Sequence, residues 1–320
     1  MQSSQSFSGA TLRTEPTLFK AFKPPSISEK AEKTRDKPAA AIGPQVPNLE
    51  PDIAAPVHNR DPINPLADIT GFDPHSLPNN FMALLVASRR SGKSVLTEYL
   101  LKELQKQKRF THVFLVSPSD AGFKPDIPKK YRSKDLKTIR WIMNKQIEVA
   151  DYNRKQEKAK TRVKQRICIV CDDAGHLNEL HKNQDLKELA MVGRHIGHPT
   201  SDPQDGNGIS VFVLTQSLTA VSPKVRRNMD IVFINNIASA KELDTCCDEA
   251  GFYSNAGARN KHEARDMFHE LVRGEPYRFL AIENHIANKN HIADYVRTVD
   301  ADIDYKHKRL FGTADDDRED

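Results

Sequence analysis

Six apolar runs punctuate the middle of the chain: FMALLVA (81–87), HVFLVSP (112–118), ICIVCDD (167–173), ISVFVLTQ (209–216), DIVFINN (230–236) and YRFLAIEN (277–284). Each is nearly continuous rather than alternating, the pattern of strands covered on both faces of a sheet. After the first run, GKSVLTEYLLKELQKQ places Val95, Tyr99 (or Leu100) and Leu104 at helical spacing, which predicts an amphipathic helix. Strands alternating with helical segments predict an α/β fold, a mostly parallel sheet sandwiched by helices. There is no internal repeat.

The flanks lack this pattern. Residues 1–65 are rich in Ser, Pro, Lys and Ala without an apolar period, so they bury too little surface to offset their ordering entropy and are expected to form a disordered N-terminal arm. Residues 66–305 form the expected catalytic domain, and 306–320, ending TADDDRED, an acidic tail. No run approaches the roughly 20 apolar residues that cross a bilayer, and the N-terminus lacks the apolar stretch of a secretory signal.

The net charge of the 320 residues is +5, a mild basic excess that permits a polyanionic partner without requiring one. The excess concentrates in residues 129–166, where Tyr131, Trp141 and Tyr152 interleave with Lys and Arg. Two readings stand for this segment: a solvated helical pair with inward aromatics, or a surface for phosphate backbones. Cys168 and Cys171 lie three apart on one expected strand, hence on opposite faces, so a shared metal or disulfide is not expected there. With Cys246 and Cys247 they read as buried, reduced thiols. His195 and His198 have no matching Cys/His pair and read as structural.

The chemistry concentrates where strands end. After the first strand comes Ala87-Ser88-Arg89-Arg90-Ser91-Gly92-Lys93-Ser94. A P-loop wraps backbone N–H groups around phosphates at a helix N-terminus, with a lysine on the terminal phosphates and a hydroxyl on Mg²⁺. Gly92, Lys93 and Ser94 fit, in a strand–loop–helix context. Ala87 replaces the first glycine, which the loop tolerates if φ stays negative there. A neighbouring buried strand ends in Asp172, expected to hold the metal, and Asp173, expected to polarise the attacking water. Another ends in Gln216, whose amide is suited to sensing the γ-phosphate or orienting water.

Together with ELAMVGRHIGH, LTQS and VSPKVRRNMDIVFI, these features resemble the DNA-packaging ATPases of large eukaryotic DNA viruses, the poxvirus-type branch of the FtsK–HerA superfamily, over residues 75–285. The resemblance implies a RecA/ASCE-like P-loop NTPase fold, hydrolysis of ATP with Mg²⁺, a homo-oligomeric ring and translocation of double-stranded DNA into a capsid. Capsid-vertex or portal proteins are implied as further partners, with residence in the host cytoplasm, a virus factory or the virion. Ring ATPases of this kind complete each site with an arginine from the adjacent subunit, and Arg194, Arg226 and Arg227 are the candidates. The chain departs from the family at Ala87, at Arg89 and Arg90, at Asp173 where many relatives outside this branch have Glu, and in the insertion PTSDPQDGNG (199–208). Two other functions use the same loop: a nucleotide or metabolite kinase, and a non-hydrolysing nucleotide- and DNA-binding assembly scaffold.

Overall fold

The computed structural model describes residues 64–117, 127–155, 162–172, 183–196, 208–237, 239–273 and 277–301. The expected arm (apart from its last two residues), the acidic tail, Asp173, His198 and nearly all of the 199–208 insertion lie outside them.

The six apolar runs form strands β1 (Met82–Val86), β2 (His112–Val116), β4 (Ile167–Cys171), β5 (Ile209–Thr215), β6 (Ile231–Ile234) and β7 (Arg278–Glu283). Two more strands, β3 (Arg132–Ser133) and β8 (Val296–Asp300), lack an apolar run: β3 has two residues, and in β8 Arg297 and Thr298 separate the two valines. The eight make one sheet in the order β3-β2-β4-β5-β1-β6-β7-β8. From β3 to β6 all pairings are parallel, whereas β6–β7 and β7–β8 are antiparallel. This is the mostly parallel sheet sandwiched by helices that the sequence predicts, with one correction. The strand ending in Asp172 is not adjacent to β1, because β5 lies between them.

Every residue of β1, β2, β4, β5 and β6 is buried, because helices cover both faces. Alternate residues of β1 divide between two cores: Met82, Leu84 and Val86 on one side, Ala83 and Leu85 on the other. The first side receives α2 (Lys137–Arg154), α3 (Gln184–Val192), α5 (Ala240–Glu249) and α7 (Lys261–Val272). The second receives α1 (Lys93–Lys106) through Leu96, Leu100, Leu101 and Leu104. Val95 and Tyr99, expected on the core stripe, are only half-buried at its margin, because the β1–α1 turn rotates Leu96 inward. On this side Phe212 packs edge-on against Phe81 at 5.1 Å, and Phe72 against Phe233 at 5.3 Å. The remaining helices, α4 (Pro223–Arg226), α6 (Phe252–Asn255) and α8 (Ile292–Tyr295), are single turns.

Cys168 and Cys171 fall in opposite cores, and all four cysteines are buried free thiols. Burial and the adjacent Asp172 push the Cys171 thiol up to about 12. Among its described residues the basic segment contains one long helix, α2. Tyr131 and Trp141 pack inward, with Phe114 edge-on to both at 5.3 and 6.5 Å. Tyr152 is 42% exposed. Much of the positive charge of α2 is paired locally, Arg140 with Asp185 and Glu188 and Lys145 with Glu148. No helix among the described residues is long and apolar enough to cross a membrane.

Candidate functional site: a P-loop at the sheet edge

Parallel strands deliver their C-terminal ends to one edge of the sheet, and the candidate residues collect there. The loop after β1 is clamped on both sides. The Ala87 N–H donates to the Thr215 carbonyl at the end of β5 (3.2 Å), and the Ser88 N–H donates to the Asn236 carbonyl after β6 (3.2 Å). Asn235, buried at the end of β6, also directs its amide nitrogen at the Ser91 carbonyl, 3.4 Å away. The Ser88 and Ser91 hydroxyls lie 2.8 Å apart across the loop.

This clamping accounts for Ala87. Among the described residues, positive φ outside glycine occurs only at Arg90 (61°), Lys108 (54°) and Asn236 (43°). Ala87 is therefore not asked for the left-handed conformation, and its methyl is fully buried in the α1-side core. The left-handed turns fall on Arg90 and on Gly92 (φ 85°). At Gly92 a glycine is required twice over: by the positive φ, and because an added Cβ would lie 2.6 Å from the Tyr277 ring. Arg90 is placed in a conformation costing roughly 1–2 kcal/mol for a residue with a Cβ.

Gly92 starts α1, and no side chain caps that helix. Asn183, Ser222, Ser239 and Asn260 cap α3, α4, α5 and α7 with their own oxygens, whereas α2 and α6, like α1, start without a side-chain cap. The first-turn N–H groups of α1, with the positive end of its dipole, thus open into a cleft of about 450 Å³ lined by Arg90, Ser91, Gly92, Lys93, Ser94, Val95 and Tyr277. The Lys93 ammonium folds back over the loop and donates to the Ala87 (2.5 Å) and Ser88 (2.8 Å) carbonyls. An arrangement of backbone donors, a lysine and a helix N-terminus around one concavity can hold a polyphosphate.

Asp172 ends β4 at the same edge. It is 6% exposed, and its N–H donates to the Val116 carbonyl (3.0 Å). Gln216 follows β5, half-buried, and the turn after it is held by Glu242, which accepts from the Ser217 hydroxyl and from the Thr219 N–H (3.3 Å) and hydroxyl (2.8 Å). For Mg²⁺ the donor chemistry fits: the Ser94 hydroxyl and the Asp172 carboxylate are the hard oxygen ligands that ion takes.

The three candidate arginines separate. Arg226 is 8% exposed; it donates to the Leu218 (3.3 Å) and Val221 (2.6 Å) carbonyls and grips Glu249 at 2.7 Å. Arg194 reaches Asp230 at 2.5 Å, and the other Asp230 oxygen accepts the Met82 N–H at 2.8 Å. Met82 begins β1, so Arg194 sits at the edge opposite the loop. Burial pushes the Asp230 carboxyl up, against the opposing pull of the Met82 N–H and Arg194. Arg227 is exposed. His195 lies in the turn after α3, its N–H donating to the Val192 carbonyl (2.8 Å). No group of three or more His, Cys, Asp or Glu suited to a metal occurs among the described residues.

Sequence reasoning missed Asn235, Asn236 and Tyr277. The Asn-Asn pair ending an apolar run was the available signal for the first two. Tyr277 carried none, since it reads as the first residue of a strand.

No family model matches the chain, and no curated protein does. Among solved structures it is similar to the genome packaging NTPase B204 from Sulfolobus turreted icosahedral virus 2 in complex with ATP-gammaS, at 14% identity and a TM-score of 0.44, over 73% of this chain and 100% of that one. It is also similar to B204, the DNA-packaging ATPase from Sulfolobus turreted icosahedral virus, at 15% identity and a TM-score of 0.42, covering 69% and 97%. A third similar structure is the pCW3 conjugation coupling protein TcpA with ATPgS, at 16% identity and a TM-score of 0.40, covering 63% and 57%.

Proposed function

We propose that the chain is an ATP hydrolase that moves double-stranded DNA into a viral capsid as a homo-oligomeric ring. The observation that carries the hydrolase reading is the clamped loop, whose uncapped helix N-terminus and Lys93 face one cleft. The motor reading rests on the sequence resemblance over residues 75–285.

In this reading the loop N–H groups and the α1 dipole bind the β- and γ-phosphates, and Lys93 exchanges its carbonyl partners for phosphate oxygens. Ser94 and Asp172 would hold Mg²⁺, which would supply neutralisation of phosphate charge. Asp173 and Gln216 orient the attacking water for in-line displacement. Stabilisation of charge on the transferring phosphoryl group falls to an arginine from the adjacent subunit, and exposed Arg227 is better suited than Arg194 or Arg226, which are engaged within their own chain. Capsid-vertex or portal proteins are the expected docking partners, and the virus factory or virion the expected location.

The test is the Mg²⁺-ATPase rate with and without long double-stranded DNA, on wild type, Lys93→Ala and Asp173→Asn, with the oligomer sized in the same samples. Turnover that DNA raises and both substitutions abolish is the expected result. Turnover in an assembled ring that ignores DNA would remove the motor role. Phosphate transfer to a small acceptor would identify a kinase, and nucleotide binding without turnover in an assembled ring would identify a scaffold.

A further inference from the structure

Among the residues described around the loop cleft, one comes from outside the loop and its helix. Tyr277 immediately precedes β7, nearly two hundred residues along the chain from Gly92. Its side chain packs so closely on the loop that a Cβ at Gly92 would meet Cδ1 at 2.6 Å and Cγ at 3.3 Å. The ring is half-buried and, like Val95, packs at the margin of the α1-side core, so the two present an apolar wall next to the polar loop. The backbone beneath it is fixed. The Tyr277 carbonyl accepts the Ala301 N–H (3.1 Å), and the next residue, Arg278, pairs with Asp300 at 2.8 Å across the β7–β8 ladder.

A cleft with phosphate donors at one end and a rigid phenol ring beside them matches a ligand that is itself two-ended: a polyphosphate joined to a flat aromatic base. We infer that Tyr277 is the platform on which the nucleotide's base stacks, with Val95 bordering the same slot. The loop then recognises the phosphates and β7 recognises the base. This inference rests on the P-loop reading above but adds a residue and a selectivity to it. A ring that stacks accepts any planar base, so the platform favours purines, which offer the larger face, without distinguishing adenine from guanine by hydrogen bonds.

The experiment compares two probes, ATP and inorganic tripolyphosphate, titrated calorimetrically with Mg²⁺ into the full chain. Wild type is expected to bind ATP more tightly than tripolyphosphate. Tyr277→Ala should weaken ATP by about tenfold to a hundredfold and leave tripolyphosphate unchanged. Tyr277→Leu, which keeps the apolar packing but removes the ring, should behave the same way and guards against a folding defect in the alanine variant. Tyr277→Phe should retain ATP affinity, and Tyr277→Trp should add a fluorescence signal quenched by ATP and not by tripolyphosphate. Equal weakening of both probes, or of neither, would overturn the platform. If wild type binds tripolyphosphate but ATP no more tightly, the platform fails and the P-loop stands. If wild type binds neither probe, the P-loop reading fails and the platform falls with it.

Discussion

The two edges of the sheet use polar side chains in opposite ways. At the C-terminal edge of the parallel strands, Arg90, Gly92 and Asn236 hold left-handed backbone, α1 begins without a side-chain cap, and Lys93, Ser94 and Arg90 border a cleft. At the other edge the polar groups answer one another. Asp230 accepts from Met82 and Arg194, the His285 N–H donates to the Asp230 carbonyl (3.1 Å), and Glu283 accepts from Ser76 (3.1 Å) and faces Arg297 at 3.6 Å. Cleft-facing donors mark the edge that acts; paired polar groups mark the edge that holds, although Lys108 is left-handed there too and the buried Arg194 Nε has no hydrogen-bond partner among the described residues. An arginine is indistinguishable between the two in sequence, and the structure assigns Arg194 to the second.

The comparison breaks most severely at Gly92. Gly92→Ala puts a methyl into the Tyr277 ring on a positive-φ backbone and should displace the loop, lowering kcat/KM for ATP by about a hundredfold while the melting transition stays cooperative. Next comes Arg226→Ala, which leaves the Leu218 and Val221 carbonyls without their buried donor. Urea midpoints should report a loss of about 2–3 kcal/mol, whereas a pure trans-acting role would lower turnover at unchanged stability.

Arg194→Ala should cost about 2 kcal/mol, because Asp230 stays buried without its guanidinium, and adding Asp230→Asn should return part of the loss. The matched control, Arg227→Ala, should change stability by less than about 0.5 kcal/mol and reduce turnover only in the assembled ring.

A smaller effect is expected from pH. Burial and nearby Lys130 hold the His112 imidazole below its ordinary value of 6.5. Below that ordinary value the unfolded chain takes up a proton that the folded chain refuses, so stability present at neutral pH falls as pH drops through this window. His112→Gln should flatten that part of the stability–pH curve, measured by denaturant midpoints at pH 7 and 5.5. The smallest change in stability should follow Arg90→Gly. Relief of the left-handed conformation, about 1 kcal/mol, is offset by the greater freedom of glycine in the unfolded chain, so the melt barely moves. The KM for ATP should nonetheless rise if the guanidinium beside the cleft meets phosphate, and an unchanged KM would assign Arg90 to the turn alone.

The sequence made the strand ends readable because burial on both faces demands unbroken apolar runs, and whatever polar residue stops such a run stands out. Lys93, Asp172 and Gln216 were visible for that reason. Register and strand order were not. Nothing in ICIVCDD says that β5 will separate its strand from β1, since that depends on which crossovers pack together. β8 was missed because Arg297 and Thr298 break its apolar pattern between two valines, and β3 because it has two residues. Val95 was misplaced on its helix because a period fixes spacing but not the rotational phase imposed by the turn before it. Tyr277 was invisible for a different reason: its contact with Gly92 joins distant parts of the chain, and no local pattern encodes it.

The Lys93 ammonium is bound to the carbonyls of Ala87 and Ser88, within the very loop it serves. The lysine therefore acts as its own placeholder, keeping the loop's shape while its charge is already solvated by the chain. Arrival of a phosphate is an exchange of partners, so the affinity it reports is a difference between two well-formed sets of hydrogen bonds and is smaller than the strength of either. Substitutions that shift the carbonyls of residues 87 and 88 would then tune nucleotide affinity through the set that Lys93 returns to on release.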